Sequence, residues 1–319
     1  MGASAGGPAA HDRSRPPRPQ ALRRYGQNHL VDLNLLRAIV DQAAVGPGDV
    51  VLEVGAAGGL LTRPLLDRAA VVHAFEIDRR WLPRLEELAA TDARLRLHPG
   101  DALRADLTAL DPPPTALVAN LAYNIAIPLI MTSIAGLPSI RRWAVMVQRE
   151  LGERLFAAPS TKAYAAVSVL TQLACRLEKV RPVPATAFRP RPRVESSFLT
   201  FVRRDPAAAG SAGAGGAPGP GAVPDQPTGA PDPAGYEAVS RLVRVAFGQR
   251  RKTLANTLGG AAFAGRTLGR DEVRRALAGI GEGEAARPEE LSPSRWLAFA
   301  VALGAAESGG AGSRSEHPA

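Results

Sequence analysis

Short apolar runs alternate with helical stretches through the first two hundred residues. Residues 49–54 form a valine-rich run that ends on glycines, and 60–69 read as a helix. Residues 70–76 read as a second strand, followed by a helix over 79–90. Residues 94–98, 115–120 and 142–148 continue the strand series. Apolar strands separated by helices predict a parallel sheet covered on both faces. Residues 174–183 and 197–203 read as two more strands with little helix between them, an antiparallel pair closing the sheet edge. The pattern then changes: 236–247, 252–259, 271–278 and 292–303 read as helices, predicting a small all-α body.

Composition divides the chain further. The 319 residues are 45% hydrophobic and 22% charged, enough for a core of ordinary size. The 32 glycines and 28 prolines are concentrated rather than spread. Residues 206–235 hold fifteen of them in thirty positions, with no Lys or Arg. Such a segment cannot bury enough apolar surface to offset its ordering entropy. The expected organisation is a tail over 1–21, a body over 22–204, a linker over 205–235, a helical body over 236–303 and a tail over 304–319. A net charge of +9 favours a polyanionic partner. The lone Cys175 excludes an internal disulfide framework, and the histidines show no metal spacing, so no metal is expected. No apolar run is long enough to span a membrane and no signal-like core follows the first arginines, so a cytoplasmic protein, a monomer, is expected. Trp81, Trp143 and Trp296 are assigned to packing, and Cys175 to a buried, inert thiol.

Ligands of open α/β sheets bind beyond the carboxyl ends of the strands. Gly55, Glu76, Asp101, Asn120 and Tyr123 all stand at such ends. The turn from Glu53 to Thr62 is glycine-rich, which lets backbone approach a ligand. Glu76 can accept ribose hydroxyls of either a nicotinamide dinucleotide or an adenosyl cofactor. Asp101 can accept from an adenine amino group, or cap a helix. In Asn120-Leu121-Ala122-Tyr123-Asn124 an amide oxygen, a backbone carbonyl and an aromatic ring follow a strand. An adenine amine is a poor nucleophile because its lone pair is delocalised. Two acceptors on its hydrogens would draw it toward tetrahedral geometry while the ring stacks on the base. Positioning and charge stabilisation then suffice without a general base.

These motifs, in this order, resemble the ribosomal RNA adenine dimethyltransferases. The resemblance rests on residues 25–30 (Tyr-Gly-Gln-Asn-His-Leu), 53–62, 120–124, 146–155 and 188–196. It implies a Rossmann-like class I S-adenosylmethionine-dependent methyltransferase sheet with a small all-α C-terminal domain. It implies cofactor contacts from Asn28, Leu30, Gly55, Glu76, Asp101 and Asn120. It implies catalysis by Asn120, the Leu121 carbonyl, Tyr123 and Phe188, with S-adenosyl-L-methionine as methyl donor. Residues 246–254 and 289–292 resemble the branch that dimethylates adenosines near the 3′ end of 16S rRNA. The alternatives are the branch that modifies 23S rRNA in macrolide-type resistance, and a non-catalytic RNA-binding assembly factor on the same fold.

Arg189, Arg191 and Arg193 alternate with prolines beside Phe188 and form a basic strip for RNA. Arg250, Arg251 and Lys252, with Arg241, Arg244, Arg274 and Arg275, are expected to face rRNA phosphates. Arg23 and Arg24 are expected to guide RNA to the same mouth. Three positions depart from the family pattern. Ala57 replaces a loop glycine, where a methyl demands unfavourable backbone angles or crowds the cofactor. Ala122 replaces a proline before Tyr123. His29 replaces a phenylalanine.

Overall fold

The computed structural model describes residues 28–205, 227 and 229–305. The expected tail over 1–21, Arg23 and Arg24, residues 25–27, most of the linker and all but two residues of the last tail lie outside the described residues.

Seven strands form one sheet: β1 (Val50–Val54), β2 (Val71–Glu76), β3 (Leu95–Pro99), β4 (Ala116–Asn120), β5 (Arg142–Gln148), β6 (Cys175–Val183) and β7 (Ser196–Arg203). Their order across the sheet is β3-β2-β1-β4-β5-β7-β6. The first five are parallel, and β7 runs antiparallel to both β5 and β6. The expected antiparallel pair therefore closes the edge. From β1 the chain winds outward to β2 and β3, then returns to β4 on the other side of β1. That reversal opens a crevice beyond the ends of β1 and β4, where open α/β sheets bind ligands.

Alternating side chains feed two separate cores. In β4 and β5, Leu117, Ala119, Trp143 and Val145 face one core, while Ala116, Val118, Ala144 and Met146 face the other. The second core is covered by α1 (Leu33–Ala43), α2 (Thr62–Leu66) and α3 (Leu82–Thr91). Asp32 starts α1 by accepting the backbone N–H groups of Asn34 and Leu35 at 2.9 and 3.0 Å. The first core is covered by α4 (Ala126–Gly136), α5 (Arg149–Leu155) and α6 (Ala166–Ala174).

The C-terminal part contains α7 (Pro233–Phe247), α8 (Leu254–Leu258), α9 (Arg270–Gly279) and α10 (Pro293–Ala305). It also carries a two-residue antiparallel ribbon, Ala262–Phe263 against Arg266–Thr267. Asp232 caps α7 by accepting from the Gly235 N–H, and Pro233 starts it, so the helix begins inside the segment read as linker. This part packs against the sheet-bearing part. Val239, Leu242, Trp296 and Phe299 belong to the same core as Leu129 and Trp143. The Tyr164 hydroxyl donates to the Leu291 carbonyl at 2.8 Å, and Arg204 to the Pro227 carbonyl at 2.6 Å. Composition marked the Gly/Pro segment, but it could not show that the helices beyond it return to the sheet.

All three tryptophans are buried, as is Cys175, whose thiol burial pushes up to about 12. No helix among the described residues is long and apolar enough to cross a membrane.

Candidate active site

The crevice holds a cavity of about 320 Å³. Its walls include Asn28, Gly55, Glu76, Asp101, Asn120 and Tyr123, brought together from stretches about ninety residues apart. Leu121, Phe188 and Ser196 complete its far side. Leu30 is the exception among the expected contacts. It lines a neighbouring cavity of about 640 Å³, which shares His29, Gly55, Ala57 and Asn120 with the first.

Backbone angle rather than crowding explains Gly55: its φ is +84°, whereas a Cβ there would make only an ordinary contact, 3.8 Å, with the carbonyl oxygen of Asn120. The next loop position of note, Ala57, has a φ of +46°, so the methyl does impose a left-handed backbone. That conformation costs an L-residue roughly 1–2 kcal/mol. The Ala57 N–H donates to Glu76 Oε2 at 2.7 Å, a charge-assisted bond that offsets the strain. The cavity persists beside the methyl, which lines it without closing it.

Glu76 is buried at the end of β2. Besides Ala57, it accepts the Asp78 N–H through Oε1 at 2.7 Å. Burial raises its pKa above the ordinary carboxylate value, against the lowering effect of the Asp78 and Ala57 N–H groups. A carboxylate has about four acceptor sites, so acceptor capacity remains toward the cavity. Asp101 follows β3 and accepts the Leu103 N–H at 3.0 Å in a turn. No helix starts there, so the helix-cap alternative gives way to a turn.

Asn120 ends β4, and its Nδ2 donates to the Asn28 carbonyl at 3.0 Å. This leaves Oδ1 as the acceptor of the amide. Leu121 is held by its N–H, which donates to the Met146 carbonyl at 3.1 Å. Tyr123 is half-buried, and its hydroxyl lies 3.3 Å from Ser196 Oγ. Phe188 is only 1% exposed, so it is a wall of the cavity rather than a projecting plate. It reaches the site through a two-stranded ribbon pairing Leu30 with Phe188 and His29 with Arg189.

Ser196 is the site residue that reading the sequence did not single out, although it closes the motif that begins at Phe188. Phe75 is another: it lines the cavity, and the ring of His98 stacks on it at 4.6 Å. A strand-interior phenylalanine carries no sequence signal that separates it from core.

The basic residues divide. Arg189 stands at the second cavity, and Arg191 and Arg193 are exposed beside it in sequence. Arg251 and Lys252 are exposed, but Arg250 is engaged. Its guanidinium donates to the carbonyls of Thr161 and Lys162 at 3.1 and 3.3 Å and pairs with Glu289 at 3.4 Å. Arg250 therefore also ties the two parts of the chain together. Arg241 and Arg274 likewise pair with acids on or beside their own helices, Glu237 for the first and Asp271 for the second.

A family model for ribosomal RNA adenine dimethylase matches residues 19–212. A ribosomal RNA small subunit methyltransferase A from Rubrobacter xylanophilus is 40% identical over 285 residues, 89% of this chain and 95% of that protein. The protein of the same name from Phenylobacterium zucineum is 38% identical, with 88% of each covered. Among solved structures, a dimethyladenosine transferase from Plasmodium falciparum aligns with a TM-score of 0.66 at 21% identity, covering 85% of this chain and 95% of that one. The 23S rRNA methyltransferase ErmE aligns at 0.60 and 25% identity, covering 87% and 100%. The sheet order, the glycine turn braced by Glu76 and the Asn120 segment at the crevice thus come with sequence likeness over most of the chain, which belongs to the ribosomal RNA adenine dimethylase family.

Proposed function

We propose that this protein transfers methyl groups from S-adenosyl-L-methionine to the 6-amino group of adenosines near the 3′ end of 16S rRNA, up to two per base. It acts in the cytoplasm, as a monomer, on the maturing small subunit. The carrying observation is the Asn120 amide, anchored through Nδ2 on the Asn28 carbonyl, with Oδ1 left to accept.

The cavity suits the cofactor. Glu76 retains acceptor capacity for ribose hydroxyls, and Asp101 lies in the same wall for an adenine amine. Asn28, Gly55 and Asn120 would border its remaining length, with Leu30 in the adjoining cavity. Bound there, the cofactor supplies an electrophilic methyl on a sulfonium centre. Asn120 Oδ1 and the Leu121 carbonyl would accept the two hydrogens of the target amine and free its lone pair. Tyr123 and Phe188 would hold the base flat against the cavity wall. No side chain needs to act as a base, because the product amine can release its proton to water. Arg189, Arg191 and Arg193, with Arg251 and Lys252, would meet rRNA phosphates.

The test is methyl transfer from labelled cofactor to immature 30S particles, 50S particles and protein-free 23S rRNA. Label in the 3′ adenosines of the 30S particle is expected. Label confined to 23S rRNA moves the activity to the other branch. Tight RNA binding without label makes the chain a non-catalytic factor.

A further inference from the structure

Tyr123 sits on the short loop between β4 and α4, and no proline precedes it to fix that loop. The loop backbone alone does not set the plane of the ring, because the side chain keeps two rotatable bonds. Ser196 lies opposite. Its Oγ is 3.3 Å from the tyrosine hydroxyl, and the residue is 2% exposed. It lines the same cavity as Asn120, Tyr123 and Phe188.

Ser196 is itself rigidly placed. It is the first residue of β7, paired with Gln148 of β5 on one side and Val183 of β6 on the other. The preceding Glu195 is clamped at both backbone and side chain. Its carbonyl accepts the Arg149 N–H at 3.0 Å, and its carboxylate pairs with the Arg149 guanidinium. A hydroxyl fixed by two strands and a clamp is a suitable post for a ring on a loop.

We propose that Ser196 is a positioning residue, whose hydroxyl holds the Tyr123 hydroxyl and so sets the depth and plane of the ring on which the target adenine stacks. The proposal rests on the reading of Tyr123 as the stacking face. A ring ordered before the RNA arrives loses less side-chain entropy on binding. It also keeps the amine aligned with Asn120, and misplacement of reacting groups is costly to rate. The cofactor contacts proposed at Glu76 and Asp101 do not include this bond, so cofactor affinity is expected to stay near that of wild type.

The experiment compares wild type, Ser196→Ala, Tyr123→Phe, the double variant and Ser196→Thr in methyl transfer to immature 30S particles. Cofactor affinity and melting temperature are measured alongside. Each single variant is expected to lower kcat roughly tenfold while KM for RNA changes less than about twofold. The double variant is expected to be no worse than either single, because both remove one interaction. Ser196→Thr, which keeps a hydroxyl, is expected to recover most of the rate. Additive losses in the double variant overturn the proposal, as does wild-type turnover in either single variant. Should Ser196→Ala fail to fold, Tyr123→Phe decides alone, since it leaves β7 untouched. A wild-type protein that labels no RNA overturns the functional reading and this proposal with it. A labelling wild type with indifferent variants overturns this proposal only.

Discussion

Asn120 and Asn28, ninety-two positions apart, meet through a 3.0 Å bond from the Asn120 amide to the Asn28 carbonyl. The bond decides which end of the amide is left to accept. Asn120→Ala is expected to lower kcat by about 10²–10³ while RNA affinity stays near that of wild type. Asn120→Asp is the sharper probe. A carboxylate retains an acceptor but cannot donate to Asn28, and its second oxygen would face a carbonyl. It is expected to lose most of the rate as well. Normal single-turnover transfer by the Asp variant would show that the anchor is dispensable.

The left-handed backbone at Ala57 can be relieved by one substitution. Ala57→Gly removes the clash between Cβ and the carbonyl, worth roughly 1–2 kcal/mol, and gives back roughly 0.5–1 in unfolded-chain entropy. The variant is expected to be more stable by about 0.5–1 kcal/mol in urea denaturation. The N–H bond to Glu76 is backbone and survives the change. Destabilisation would mean that the loop is not strained in solution.

The central strands were legible because buried strands such as Val50–Val54 and Ala116–Asn120 are apolar runs that end on polar or glycine-rich turns. The strand-end residues were legible as well, because polar groups that interrupt such runs need a reason. Helix α1 did carry a sequence mark that the strand-led reading passed over: Asp32 caps Asn34 and Leu35, and the buried Leu36, Ile39, Val40 and Ala43 recur at helical spacing. Other features depended on long-range geometry. The docking of α7 and α10 on the sheet's core depends on which apolar faces meet, a relation between segments far apart in sequence. Ser196 was hidden for the same reason: only the fold brings β7 beside the loop that carries Tyr123.

Buried Glu53 should leave a signature in the pH dependence of stability. Desolvation raises its pKa to about 8, opposed by the neighbouring Thr62 hydroxyl and assisted by the charge of Glu76. The folded carboxyl therefore holds its proton longer than the unfolded one, whose ordinary value is 4.5. Stability from this group is complete below the unfolded value and is lost as pH climbs toward 8. Glu53→Gln carries no charge at any pH and removes this slope. Relative to wild type, the variant is expected to gain on the order of a few kcal/mol between about pH 5 and pH 8. Urea denaturation across that range measures the difference, and parallel curves for the two proteins would place the Glu53 titration elsewhere.

Three consecutive cations that look alike in sequence should behave differently under mutation. Arg250 spends its donors on Thr161 and Lys162 and pairs with Glu289, whose carbonyl in turn accepts the Ser160 N–H at 2.8 Å. Arg250→Ala is expected to cost about 1–3 kcal/mol of stability by releasing these carbonyls and the acid. Arg251 and Lys252 are exposed, and among the described residues neither stands in an ion pair, so replacing both with Ala should leave stability nearly unchanged. If they meet rRNA phosphates, the double variant binds RNA more weakly at every sequence tested. Its log affinity against log salt then flattens by roughly one to two units, one for each lost phosphate contact. Binding titrations over a salt series, with melting curves for the same proteins, separate the two roles. A flattened salt slope from Arg250→Ala at unchanged stability would reverse the assignment, making Arg250 the phosphate contact and its carbonyl bonds incidental.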